Sequence, residues 1–128
     1  MNYSLVLQHT VTKQIYIYNL NNQNYSENIY YKFDITLDDN TPDGEYQYVL
    51  FYNPNKWEIV IDPNNIYQDQ YNSYVLVTYD NILTTNTKIL IAGKPIPILS
   101  TGLIRIGDYE NQRYQYDRQN QYISYERK

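Results

Sequence analysis

The residues able to do covalent or metal chemistry are few. The single histidine, His9, has no acidic or histidine partner at metal-ligand spacing. Asp38-Asp39 sets two carboxylates side by side, half of what a glycosidase pair needs. Adjacent carboxylates in a turn, however, stand in solvent and do not flank a bond. Asp43-Gly44 and Gly107-Asp108 could meet a cation or a sugar hydroxyl, but Asp and Gly are also what turns require. No serine has a histidine in a context that would orient it as a nucleophile. There is no cysteine, hence no disulfide framework and no thiolate site. We therefore expect no catalysis, no metal and no cofactor.

Binding chemistry is better represented. Trp57, Tyr67, Tyr71 and Tyr74 could form a glycan face, with rings stacking on sugar and Asn amides bonding to hydroxyls. The same rings could equally pack a core or a protein interface, where tyrosine offers rigid area with a polar tip. A second set lies near the end of the sequence. Tyr109, Tyr114, Tyr116, Tyr122 and Tyr125 alternate with Gln, Asn and the arginines Arg113 and Arg118. This stretch has too little aliphatic content to form its own core. We expect it to be an extended arm that adds a strand to a sheet edge of its own body or of a neighbour. On that reading, deletion of residues 110–128 leaves the body folded.

These residues need a scaffold, and composition says which kind. Tyrosine supplies 18 of the 128 residues, about a third of the nominal 42% hydrophobic content. The core must use tyrosine rings, whose hydroxyls need partners when buried. Alanine occurs once, at Ala92, whereas β-branched and aromatic residues abound, so the chain reads as all-β. Residues 1–108 carry six basic and eleven acidic groups, residues 109–128 four and three. An acidic body does not suit nucleic acid. No apolar run approaches 18 residues, so neither a membrane span nor a signal peptide is expected.

Taken in order, Ser4–Gln8 is a short apolar run, tilted to strand by nearby β-branching. Ile15-Tyr16-Ile17-Tyr18 alternates. Ile29 to Leu37 is the cleanest strand, with Tyr31, Phe33, Ile35 and Leu37 on one face. Asp38 to Gly44 is a turn. Glu45 to Tyr52, Lys56 to Ile61, Tyr74 to Tyr79 and Lys88 to Ala92 follow as strands, with Val75, Val77 and Tyr79 facing together. Gly93 to Pro97 is an extended, proline-broken link that cannot sit centrally in a sheet. Thr101 to Tyr109 is a closing strand, with Ile104 and Ile106 on one face and Leu103 and Gly107 on the other. Seven or eight short strands separated by turns predict a β-sandwich, with a body over 1–109 and an arm over 110–128.

Three segments together carry a resemblance: Tyr31-Lys32-Phe33-Asp34-Ile35, Asp43-Gly44-Glu45-Tyr46-Gln47-Tyr48, and Thr101-Gly102-Leu103-Ile104-Arg105-Ile106-Gly107-Asp108-Tyr109. The chain resembles small structural proteins of tailed bacteriophages that infect Bacteroidales, the crAss-like phages among them. It departs from them in the link between the second and third segments. That link is short in the family, whereas here it runs from Asn53 to Ile98 and is expected to add strands. The resemblance implies a component of the virion; with the strand pattern above, the expected fold is an immunoglobulin-like β-sandwich with a C-terminal arm. The resemblance does not say which component; a small, acidic, single-domain body with an adhesive tail points to an auxiliary (decorating or cementing) capsid protein, with a portal, collar, tail or head-fibre base role as the alternative. The implied partners are other virion proteins, such as the major capsid, portal or tail proteins, and further copies of itself. A glycan-binding adhesion module is the alternative of another class.

Overall fold

The computed structural model describes residues 2–20, 31–62, 72–107, 113–116 and 121–127. Among them all regular structure is strand: β1 (Tyr3–His9), β2 (Ile15–Leu20), β3 (Tyr31–Leu37), β4 (Gly44–Tyr52), β5 (Glu58–Asp62), β6 (Ser73–Val77), β7 (Lys88–Ile91), β8 (Lys94–Ile96), β9 (Ser100–Ile106), β10 (Arg113–Tyr116) and β11 (Gln121–Arg127). The all-β expectation holds. A central sheet runs β2-β1-β4-β9, antiparallel throughout. A link sheet runs β5-β6-β7-β8, and a terminal sheet runs β10-β11-β3.

The central sheet is covered on both faces, and β1 shows why. Its run Leu5-Val6-Leu7 lacks polar alternation, which suits a strand buried on both sides; all seven residues of β1 are buried. Tyr3, Leu5 and Leu7 point one way. They join Tyr46, Tyr48 and Leu50 of β4 and Ile104 and Ile106 of β9, and this core is closed by Ile35, Leu37 and Tyr125 of the terminal sheet. Val6 points the other way and joins Val49 and Phe51 against Tyr74, Leu76, Leu83 and Ile89 of the link region. Each fully buried aliphatic or aromatic side chain contributes about 1.5–3 kcal/mol, so both interfaces hold the stack.

Two differences from the sequence reading are instructive. The link strands β5 to β8 all lie within Asn53–Ile98, so the expected extra strands form a sheet of their own. Pro95 stands in β8, an edge strand, where a missing N–H costs no ladder bond. The strand expected to reach Tyr79 ends at Val77. Asp80 and Asn81 take φ of 54° and 60° and turn the chain, leaving Tyr79 in an isolated bridge to Ile82.

The hydroxyls of the buried Tyr46 and Tyr48 and of the half-buried Tyr18 find partners. Tyr48 Oη shares a hydrogen with Ser100 Oγ at 2.8 Å, and Tyr46 Oη donates to the Pro42 carbonyl at 2.6 Å. Tyr18 Oη and Thr41 Oγ1 lie 2.6 Å apart.

Candidate binding surfaces

The segment read as an arm enters the terminal sheet. β11 pairs with β3 in parallel, from Gln121 opposite Tyr31 to Arg127 opposite Leu37. β10 pairs with β11, placing Arg113 opposite Ser124 and Tyr114 opposite Ile123. Tyr116 and Tyr122 take ladder positions in β10 and β11, whereas Tyr109 and Arg118 lie outside the described residues. Tyr125 is tied to the body. Its ring packs on the core, its hydroxyl accepts the Gly107 N–H at 3.1 Å, and it lies 3.4 Å from the Gly107 carbonyl, to which it can donate. The segment thus adds Tyr125 to the core beneath the central sheet and supplies all of the described ladder bonds of β3.

The aromatic set near the link is divided. Tyr74 is 2% exposed and packs edge-on to Phe51 at 5.1 Å and tilted to Trp57 at 5.7 Å. These two rings belong to the core between the central and link sheets, so Tyr74 has no open face for stacking. Tyr67 and Tyr71 lie outside the described residues. The phenol of Tyr74 is held above the ordinary phenol range, mainly because burial disfavours the phenolate and secondarily because of Tyr52.

His9 is packed, and its ring organises a turn. Its Nδ1 accepts the N–H groups of Val11 at 3.1 Å and Thr12 at 3.2 Å. The proton therefore sits on Nε2, which donates to the Asp43 carbonyl at 3.0 Å. Gly44, at φ 139°, lies so close that an added Cβ would collide with that ring, so the Asp43-Gly44 pair serves the turn. Asp38 and Asp39 are exposed, and Thr41 N–H closes the turn on the Asp38 carbonyl at 3.0 Å. No group of three or more potential metal-ligating side chains comes together among the described residues.

Buried amides join the layers. Gln8 Oε1 accepts Leu83 N–H at 2.8 Å, and Gln8 Nε2 donates to the Asn81 carbonyl at 2.5 Å. Asn53 Nδ2 donates to Ser4 Oγ at 2.9 Å and to the Trp57 carbonyl at 3.1 Å, while its Oδ1 accepts Trp57 N–H at 3.0 Å. Both contacts dock the link sheet on the central one.

One feature of the link sheet carries no signal in the sequence. A groove of about 710 Å³ is lined by Val77, Leu90, Gly93 and Pro95 and by the polar residues Thr78, Tyr79, Thr84, Asn86, Thr87 and Lys88. Tyr79 is 81% exposed. Thr78 is 6% exposed, and its Oγ1 is a buried polar atom with no hydrogen-bond partner. An unpaired buried hydroxyl costs roughly 1–3 kcal/mol and needs an explanation. Compared with family models, with curated proteins and with solved structures, the chain matches none.

Proposed function

We propose that this chain works by binding and not by catalysis, as a structural component of a tailed-phage particle, most simply an auxiliary capsid protein. The central and terminal sheets would be an immunoglobulin-like sandwich, and the link sheet a layer inserted into it. The observation that supports the reading is the β11 ladder on β3, the kind of main-chain pairing an assembly segment would use. Main-chain bonds give the adhesion, and alternate side chains give the fit. Tyr109, Arg113, Tyr114, Tyr116, Arg118 and Tyr122 of this segment would form the contact with neighbouring subunits, while Tyr125 anchors it on the chain's own core. Many copies of a modest contact add up along a shell. The resemblance of the three motif segments to phage structural proteins supplies the setting. Portal, collar, tail and head-fibre base positions use the same contact chemistry at lower copy number.

The test is quantitative mass spectrometry of purified particles of the phage that encodes the chain, with copy number taken against the major shell protein. Hundreds of copies support the capsid role. A dozen or so keep the assembly role and move it to the portal, collar or tail. Absence from particles overturns the proposal.

A further inference from the structure

The groove of the link sheet combines four features that the stability of the fold does not require. The first is the ring of Tyr79. Tyr3, Tyr46, Tyr48 and Tyr74 are buried, yet Tyr79 is 81% exposed, projected by a turn in which Asp80 and Asn81 both hold positive φ. The second is the orphan hydroxyl of Thr78, next in sequence to that ring and part of the groove wall. A single χ1 step moves a threonine hydroxyl into the position its methyl held, which gives this hydroxyl a route to a bound group. The third is a pair of hydroxyls in the lining, the half-buried Thr84 and the buried Thr87, that backbone geometry fixes in place. Thr84 Oγ1 accepts Asn86 N–H at 3.1 Å and Thr87 Oγ1 accepts Thr84 N–H at 2.9 Å; neither bond uses the hydroxyl proton. The fourth is the lining itself, which holds Lys88 as its one charged group and no carboxylate, with Val77, Leu90 and Pro95 as apolar floor.

We propose that this groove is a saccharide-binding site, in which the Tyr79 ring stacks on the C–H face of a pyranose and Thr78, Thr84, Asn86 and Lys88 bond to its hydroxyls. The class of ligand follows from the lining. A sugar ring has one apolar face and many hydroxyls that both donate and accept, and the groove offers one open aromatic face, hydroxyls, an amide and an ammonium. A purely apolar ligand would leave Thr78 unpaired. A metal cation would meet Lys88 and no anionic ligand. This inference is independent of a place in the virion, because it rests on the link sheet and not on the terminal segment.

The experiment is an array of defined neutral, N-acetylated and uronate-containing oligosaccharides probed with the full chain. Calorimetric titration with the best-bound oligosaccharide follows, for wild type, Tyr79→Ala and Thr78→Val. Wild type is expected to bind, and Tyr79→Ala to bind at least tenfold more weakly with an unchanged melting temperature, since the ring is exposed. Thr78→Val is expected to lose affinity without losing stability, which separates ligand contact from a structural role. No binding across the array, or binding that survives both substitutions, overturns the inference. If the chain is a particle protein, Tyr79→Ala should be incorporated at wild-type copy number. A fall in copy number would assign the ring to a protein contact and overturn the saccharide site. Absence of the chain from particles would remove the proposed assembly role and leave the sugar titrations standing.

Discussion

At the scale of single residues, tyrosine behaves as two different side chains in this molecule. In Tyr46 and Tyr48 it is core, with the hydroxyl returned to a nearby acceptor or hydroxyl. In Tyr79 it is surface. The sequence shows that tyrosine must enter the core, because aliphatic residues are too few; it does not show which tyrosines, because ring burial depends on the opposing layer. The phenol of Tyr74 has a pH consequence. Its folded-state value is raised above the ordinary 10.0, so below pH 10 both folded and unfolded chains hold the proton and stability is unaffected. As pH rises past 10 the unfolded chain loses that proton first, and stability falls. Urea midpoints for wild type and Tyr74→Phe, measured between pH 7 and pH 11, check this. The wild type should lose stability relative to the variant only above pH 10. A constant difference across the range would refute the assignment.

Among the elements, strand existence was legible and strand environment was not. Ile104 and Ile106 share a buried face while Leu103 is exposed, as a two-residue period requires. In β4, Tyr46, Tyr48 and Leu50 alternate with Val49 and Phe51, yet both sets are buried. Alternation marks which residues share a face; it cannot say that a third layer covers the other one. Tyr79 fits the period of β6 but lies beyond its end, because the two left-handed residues that follow set the turn and periodicity does not detect them. The β7–β8 hairpin gives a stability prediction of the same kind. Its two-residue turn is Ala92-Gly93, both at positive φ, with Ala92 at 50°. Alanine is strained there, whereas Asn-Gly is favoured in this turn. Ala92→Asn should relieve part of the roughly 1–2 kcal/mol cost of a left-handed alanine, read as a higher denaturant midpoint at unchanged slope. An unchanged or lower midpoint would refute the turn assignment.

For the whole molecule, the order of layers bears on the role of the last segment. Read from sequence, residues 110–128 could be removed without harm to the body. In the structure β11 is the described ladder partner of β3, and Tyr125 closes the core that Ile35 and Leu37 enter. A chain ending at residue 109 should lose much of the terminal sheet and expose one face of the central sheet. We expect a broad, weakly cooperative melt and strong binding of an apolar dye, against a single sharp transition for the full chain. A truncated chain that melts as sharply and as high as the full chain would restore the segment as a separable arm. The groove beside Tyr79 was illegible because it is built at the meeting of β6, β7 and β8 with the 79–87 turns. No residue in it has a sequence spacing that marks chemistry.

The parallel ladder between β3 and β11 also sets an order of events. β3 is synthesised early, and its described main-chain partner is the last strand in the sequence. A strand in that position cannot zip up with a neighbour made moments before; it waits through the making of the link sheet and the closing strand. Loop closure over so long a span is slow, and an unpaired edge is an invitation to other chains. The nascent protein therefore passes through a window in which a central layer is ready and its cover is not. Whatever keeps chains apart during that window, such as dilution, low temperature or a holding chaperone, governs the yield of folded chain more than the stability of the finished stack does.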